Sequence, residues 1–275
     1  MQLRLGAHIL DLAQPRVMGV LNRTTDSFSD GGRFAGLDAA FAQVERMVVE
    51  GADIIDVGGE STRPGSTGVS VQEELERVLP LIEHIHARFD APISIDTSKP
   101  EVMQAAVRAG AAMINDVYAL RRDGALAQAA ACGVALCLMH MQGEPRTMQK
   151  DPHYGDVTAE VKDFLEDRAA AAIAAGVPRD RIVLDPGFGF GKNLGHNLTL
   201  LHRLPELAAL GFPLLVGLSR KSMIGTLLGG KPVEERLHGS VAAAVIAVQN
   251  GASIVRVHDV APTVEALKIA LAVRG

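Results

Sequence analysis

The stretch "PISIDTSKPEVMQAAVRAGAAMINDV", residues 92–117, contains a complete strand–helix–strand unit. Two short apolar runs, "PISIDT" and "MINDV", flank the segment "KPEVMQAAVRAG", whose apolar residues recur three and four positions apart. That spacing is typical of an amphipathic helix, and Gly110 stands where a helix C-cap belongs. Strands that are joined through a helix pair in parallel, so the stretch predicts one βαβ unit of a parallel sheet.

The same unit recurs along the chain. Eight apolar runs alternate with helical patterns: "RVMGVLN", "DIIDVGG", "PISIDT", "MINDV", "VALCLMH", "IVLDPG", "PLLVGLS" and "SIVRVHD". Runs that are almost wholly apolar are typical of parallel strands covered on both faces. Eight units can close into a (β/α)8 barrel, whereas a doubly wound sheet would carry a GxGxxG fingerprint after its first strand, where this chain has "NRTTDSFSDGG".

We therefore predict an α/β protein, a (β/α)8 TIM barrel that forms a single domain over residues 1–275. The segments "LRLG" and "HILDL" precede the first strand. We expect them to form a short N-terminal β-hairpin that closes the bottom of the barrel.

Composition excludes some classes of function. The 275 residues are 48% hydrophobic, with a net charge of −5, which argues against a general nucleic-acid or anionic-membrane surface. No apolar run reaches the roughly 18 residues that span a bilayer, and the first residues lack the pattern of a signal peptide. Cys132 and Cys137 do not form a CxxC pair, so we expect small buried hydrophobes in a reducing cytoplasm.

Polar residues follow nearly every predicted strand, and in a barrel all strand C-termini meet at the catalytic face. These rim residues are Asn22, Gly59 to Arg63, Asp96, Asn115, Asp116, His140, Asp185, Ser219 to Lys221, Arg256, His258 and Asp259. One interpretation is a structural cluster in which Lys221 and Arg256 pair with the aspartates. The other is a site for a flat, hydrogen-bonding ligand, with Asp96, Asn115 and Asp185 pointing into the barrel mouth.

Two places at this rim are candidates for binding an anion. Arg63, Arg256 and His258 form one, and the helix that begins near Ser222 forms the other. The sequence has no metal motif with dedicated spacing, so we expect magnesium held mainly by phosphate oxygens and water, with Asn22 as its protein ligand. The glycine-rich "DPGFGFGKN" predicts either a phosphate cradle or a loop that passes close to a ligand, with Phe188 and Phe190 as walls.

These motifs resemble those of the dihydropteroate synthases of bacterial folate synthesis, over nearly the whole chain. The segments that carry the resemblance are "MGVLNRTTDSFSDGG", "IIDVGGESTRPGS", "ISIDTSKPEVMQAAVRAGAAMINDV", "LMHMQGEPRTMQ", "LDPGFGFGKN", "GLSRKSMIG" and "VRVHDV". The resemblance implies a transferase that condenses 6-hydroxymethyl-7,8-dihydropterin diphosphate with 4-aminobenzoate, that uses Mg2+ and that sulfonamides inhibit. It also implies a cytoplasmic homodimer that forms through helices late in the barrel, with neither nucleic-acid nor membrane partners.

The resemblance further implies a role for individual residues. The pterin site would consist of Asp96, Asn115, Met139, Asp185, Lys221 and Arg256. Diphosphate would bind Asn22, Arg63, Arg256 and His258, and Asn22 would also contact the metal. The 4-aminobenzoate pocket would consist of Phe28, Thr62, Pro64, Phe190, Lys221 and Ser222. The catalytic residues would be Asp96, Lys221, Arg256 and His258, acting through an SN1-like loss of diphosphate.

The first loop departs from the family pattern. The family reads Asn-Val-Thr-Pro-Asp-Ser-Phe, whereas this chain has Arg23 and Thr25 at the second and fourth positions. Replacing the proline removes a fixed φ, so we expect a looser open loop. Two alternatives remain at this stage: a methyltetrahydrofolate–corrinoid methyltransferase, and a paralogue that binds pterin without turnover.

Overall fold

A computed structural model describes residues 1–22, 32–62, 66 and 68–274 of the chain. The central sheet has eight parallel strands in the order β8-β7-β6-β5-β4-β3-β10-β9. The strands are β3 (Arg16–Asn22), β4 (Ile54–Gly58), β5 (Ile93–Asp96), β6 (Met113–Asp116), β7 (Ala135–Met139), β8 (Ile182–Asp185), β9 (Leu215–Val216) and β10 (Ile254–Val257). A parallel bridge from Leu184 to Leu214 joins the two ends of this order, so the sheet closes into the predicted barrel.

The first residues form the predicted hairpin. Strands β1 (Gln2–Leu5) and β2 (His8–Asp11) pair antiparallel, and Leu3 lies opposite Leu10. Leu3 and Leu5 are fully buried. They pack against apolar residues of the strands near the N-terminal end of the barrel, among them Met18, Ile54, Met113, Ala135, Cys137, Val183, Leu215 and Ile254. The hairpin therefore closes the end of the barrel opposite the strand C-termini, as predicted.

Helices follow the strands and pack on the outside of the barrel, where they bury the main hydrophobic core. They are α1 (Gly32–Val49), α2 (Val71–Arg88), α3 (Pro100–Arg108), α4 (Ala125–Cys132), α5 (Val157–Ala174), α6 (Leu194–His202), α7 (Leu204–Ala208), α8 (Ser222–Leu227), α9 (Leu237–Gln249) and α10 (Val260–Arg274). Gly110 follows α3 with a φ of +121°, and a Cβ there would lie 2.5 Å from His86 Cγ. Only glycine fits this position, as the sequence pattern indicated.

Two expectations need correction. The seventh run, "PLLVGLS", gives only the two-residue strand β9, because the chain turns at once: the Lys221 N–H donates to the Leu218 carbonyl at 3.2 Å, and Arg220 has a φ of +59°. Cys137 is buried, but Cys132 is only half-buried at the end of α4, and both are free thiols. No helix in the described part of the chain is both long and apolar enough to cross a membrane.

Candidate functional site

The centre of the rim is an ion-pair cluster that spans three strands. Arg256 on β10 donates from Nε to Asp56 Oδ2 at 2.6 Å and from Nη2 to Asp96 Oδ2 at 2.9 Å. Asp56 and Asp96 are buried, and Arg256 is half-buried. Folding thus brings together residues that are 160 and 200 positions apart. The structure confirms that Asp96 and Arg256 meet at the barrel mouth.

Asp56 is a member of this cluster that the sequence prediction missed. Its Oδ2 also accepts a hydrogen bond from Asn115 Nδ2 at 3.4 Å, while no partner among the described residues reaches its Oδ1. Burying a carboxylate oxygen without a hydrogen-bond donor costs free energy. The unpaired oxygen of Asp56 therefore indicates a binding cavity that supplies a donor, and not a residue kept only for packing. The available signal was an acidic residue between Ile55 and Val57 in the apolar run "DIIDVGG".

The cluster has strongly perturbed electrostatics. Burial raises the pKa of Asp96 to about 7, against the attraction of Arg256 and with the help of the nearby Asp56 charge. Burial alone would lower the pKa of Arg256, but the charges of Asp56 and Asp96 raise it above its ordinary value. The guanidinium is therefore permanently charged, and Asp96 changes its charge near neutral pH.

Asp185, at the end of β8, and Lys221, directly before α8, lie at the same rim. Asp185 Oδ1 accepts the Gly187 N–H at 2.7 Å, and burial raises the pKa of this carboxyl. Burial lowers the pKa of Lys221 to about 8, although the charge of Asp185 opposes the shift. In the predicted structural cluster Lys221 would pair with an aspartate, but its Nζ donates to the Phe188 carbonyl and lies 4.8 Å from the centre of the Phe190 ring.

One wall of the mouth is apolar. Met139 ends β7 and packs with Val117, Met141 and Met148, and the half-buried Phe190 contacts this group. Met139 and Phe190 therefore stand together, as a pocket for a flat ring requires. The prediction of Phe188 as a second wall is wrong. Phe188 is fully buried in the main core, where an aromatic side chain is stabilised by leaving water.

The loop after β8 is fixed from the inside by a buried lysine. Lys192 Nζ lies 2.9 Å from His140 Nδ1, and it donates to the Gly187 carbonyl at 2.9 Å and the Phe190 carbonyl at 3.1 Å. Burial, and then the charge of Lys192, lower the pKa of His140 to about 2, so the ring is neutral and accepts a hydrogen bond. These contacts give the loop a defined shape.

The phosphate-cradle interpretation of this loop is not favoured. The Gly187 N–H is bound to Asp185, the Gly189 N–H donates to Asn197 Oδ1 at 2.7 Å, and the Phe190 N–H donates to the Gly187 carbonyl at 3.1 Å. A cradle needs several backbone N–H groups that point at the anion. Since these are already paired, the structure favours a loop that passes close to a ligand.

Asn22 and His258, two of the residues expected at the diphosphate, lie at the same rim as the ion-pair cluster. Asn22 is exposed at the end of β3, and its Oδ1 would lie 3.0 Å from a Cβ placed on Gly58. His258 follows β10, is half-buried, and has Nδ1 3.1 Å from Ser219 Oγ. Arg220, which the sequence places at this rim, forms a two-pronged ion pair with Asp259, at 3.0 and 2.5 Å.

The structure describes only part of the expected 4-aminobenzoate pocket. Thr62 is half-buried, and Ser222 is exposed at the first position of α8. Phe28, Arg63 and Pro64 lie outside the described residues, as do Arg23 and Thr25 of the divergent first loop. The roles of all these residues stay predictions.

The barrel thus has a charged, hydrogen-bonding mouth with an apolar wall, which suits a flat ligand that forms hydrogen bonds. Residues 18–258 match the family described as pterin binding enzyme, and the chain belongs to that family. Within it, the chain belongs to the dihydropteroate synthases. It is 55% identical to dihydropteroate synthase of Escherichia coli over 260 residues, which covers 94% of this chain and 92% of that protein.

Solved structures agree over the full length. The Yersinia pestis dihydropteroate synthase in a sulfonamide drug complex superposes with a TM-score of 0.95 at 51% identity, covering 100% of this chain and 99% of that one. The Xanthomonas albilineans enzyme in complex with 7,8-dihydropteroate superposes with a TM-score of 0.92 at 50% identity, again covering 100% and 99%. The barrel is therefore that of the synthases, from the hairpin to the last helix.

Proposed function

We propose that this chain is a transferase that condenses 6-hydroxymethyl-7,8-dihydropterin diphosphate with 4-aminobenzoate to give 7,8-dihydropteroate and diphosphate. The observation that carries the proposal is the pairing of Arg256 with Asp56 and Asp96 at the rim that also carries Asp185 and Lys221. This arrangement offers hydrogen-bond acceptors and donors around a mouth with an apolar wall. A pterin ring has the complementary pattern, with donors on its amino edge and an acceptor at its carbonyl.

The geometry supports specific contacts with the pterin. Gly187 occupies one oxygen of Asp185, which leaves the other for the 2-amino and N3 donors of the ring. Asn115 stands on the same edge, and Lys221 donates to the carbonyl. Met139 lines the pocket, and Arg256 covers the ring while it remains bound to both aspartates.

The reaction needs stabilisation of charge more than a strong base. The C–O bond to the diphosphate breaks first, the leaving group keeps the electron pair, and the positive charge spreads over the pterin. Asp96 supplies a negative charge next to that cation, while Arg256 and His258 stabilise the departing diphosphate. The lone pair of the aniline nitrogen then forms the new C–N bond, and the surplus proton passes to solvent.

We propose Mg2+ as the cofactor. No group of three His, Cys, Asp or Glu side chains within the described ranges could hold a metal by itself. The exposed amide oxygen of Asn22 beside the cluster suits a cation that takes most of its ligands from phosphate and water. When bound, the metal would neutralise charge on the leaving diphosphate.

We also propose that the chain forms a homodimer through α9 and α10. Ile246 and Ile269 are 45% and 70% exposed on these helices, which is unusual for large apolar side chains. Ile269→Glu should shift the sedimentation coefficient to that of a monomer. An unchanged coefficient would exclude this face.

The test of the activity is diphosphate release from the pterin diphosphate and Mg2+, with and without 4-aminobenzoate. Amine-dependent release with formation of dihydropteroate, inhibited by a sulfonamide in competition with the amine, is the expected result. Tight pterin binding without release would instead indicate a non-catalytic paralogue. Cobalamin-dependent methyl transfer would indicate the methyltransferase.

A further inference from the structure

A second buried charge cluster lies behind the rim, outside the site described above. Lys99 is the N-cap residue of α3, and its Nζ donates to the carboxylates of both Glu60 and Glu74. Glu60 is the second residue after β4, whereas Glu74 lies on α2 and is fully buried. One ammonium group therefore joins α2, the loop after β4 and the loop after β5.

The root of the β4 loop has further tethers. Arg77 of α2 donates to the Gly59 carbonyl at 2.8 Å, and a Cβ on Gly59 would lie 2.8 Å from Val78 Cγ1. A Cβ on Gly68 would lie 3.0 Å from Glu60 Oε1, so Glu60 also stands next to the far end of the loop. The segment from Glu60 to Thr62 is thus held at its base by side chains from two helices.

Stability alone is a poor explanation for this cluster. The side chains of Lys99 and Glu74 are 13% and 0% exposed, and Glu74 Oε1 has no hydrogen-bond partner among the described residues. Two carboxylates and one ammonium leave a net negative charge away from water. Well-packed apolar residues stabilise a protein at least as well as such a group, so a buried ion cluster more often fixes a conformation.

We propose that Lys99 is a positioning residue for 4-aminobenzoate: by holding Glu60, it sets the place of Thr62 relative to Asp96, three residues before Lys99 on β5. The proposal rests on the proposed function, in which Thr62 contacts the amine substrate and Asp96 the pterin. Lys99 contacts neither substrate. Its loss should therefore weaken binding of the amine without weakening binding of the pterin diphosphate.

The test compares Glu60→Gln, which leaves the Lys99–Glu74 pair in place, with Lys99→Met and Lys99→Arg. We expect Glu60→Gln and Lys99→Met to raise KM for 4-aminobenzoate by about tenfold, the effect of losing one charge-assisted hydrogen bond. The Kd of the pterin diphosphate, measured by calorimetry without the amine, should stay within about twofold, since its contacts are untouched. Lys99→Arg keeps the charge and should recover most of the loss.

Asp53→Asn is the matched control. The Arg16–Asp53 pair has side chains that are 28% and 24% exposed, but it lies at the opposite end of the barrel. This variant should lower Tm and leave both binding constants unchanged. If Glu60→Gln and Lys99→Met also lower Tm and leave both binding constants unchanged, the cluster is only structural and the proposal is wrong.

If Lys99→Met does not fold, the binding constants of Glu60→Gln alone test the proposal. A failure of the proposed function is a separate result, because the unmodified chain would then release no diphosphate on addition of the amine.

Discussion

At the Asp96 carboxyl, burial and the Arg256 guanidinium act in opposite directions. The outcome is a group that titrates at a pKa of about 7, at the same rim as a Lys221 ammonium with a pKa of about 8. The reaction needs Asp96 ionised and Lys221 protonated. Both conditions hold together only in a narrow range of pH.

We therefore expect a bell-shaped pH dependence of kcat/KM for the pterin diphosphate. The rate should rise as Asp96 loses its proton through about pH 7 and fall as Lys221 loses its proton above about pH 8. Lys221→Arg should abolish the alkaline fall, because a guanidinium stays protonated. A rate that does not change between about pH 6 and 7.5 would contradict the role of Asp96.

Asp185 offers a second prediction for a single residue. In Asp185→Asn, one amide position can still accept the Gly187 N–H, so the loop should keep its shape. The other position no longer accepts two donors from a pterin edge. We expect binding of the pterin to weaken by about 100-fold, the effect of losing a buried hydrogen-bonded charge. Calorimetry measures the loss, and an unchanged Tm would show that the fold is intact.

At the scale of the elements, the loop after β8 leaves no space for a side chain at Gly187. Gly187 has a φ of +67°, and a Cβ there would lie 1.8 Å from the His140 carbonyl oxygen. Gly176, after α5, also has a positive φ, +93°, but nothing lies within 4 Å of its Cβ position. Alanine substitutions at the two glycines therefore distinguish the cost of backbone strain from the cost of steric clash.

We expect Gly187→Ala to lower the free energy of unfolding by more than about 3 kcal/mol and to abolish pterin binding, because the loop must move away from His140. Gly176→Ala should cost only about 1 kcal/mol, the penalty of a left-handed conformation for alanine. Urea unfolding measures both. Equal losses in the two variants would show that the contact with His140 is unimportant.

The strands were predictable because each is an apolar run, and α2 and α3 were predictable because their apolar residues recur three and four positions apart. The strand bounds match the runs within one or two residues, except at β9, where the turn at Arg220 ends the ladder early. Partners of charged groups were harder to predict. The sequence places Arg256 and Asp96 at one rim, but only the stagger between strands decides that Arg256 also reaches Asp56. The inward direction of Lys192 depends on the path of the loop after β8, whose carbonyls bind its ammonium group.

At the scale of the whole molecule, the residues that stabilise the fold and the residues of the proposed site lie at opposite ends of the barrel. The hairpin seals one end with Leu3 and Leu5, while the charged side chains gather at the other. Leu5→Ala should reduce the free energy of unfolding by about 2–5 kcal/mol, as expected for a cavity in a closed core.

Ile9→Ala is the control for this change, since Ile9 lies on the same hairpin but is 55% exposed. It should leave the stability almost unchanged. Neither variant should alter KM for either substrate, measured per folded molecule well below Tm. A changed KM in Leu5→Ala would show that the two ends are coupled.

The pairing of Arg256 with Asp56 and Asp96 also has a consequence for the order in which the barrel is completed. Asp56 and Asp96 lie on neighbouring strands near the middle of the sheet order, yet their shared cation arrives on β10, the last strand along the described chain. Until β10 docks against β3, the two carboxylates on β4 and β5 lack the cation that they share in the folded chain. A nascent chain that stops short of β10 can therefore neither close its ring nor neutralise its mouth, and the last strand to be made completes the architecture and the active centre in the same event.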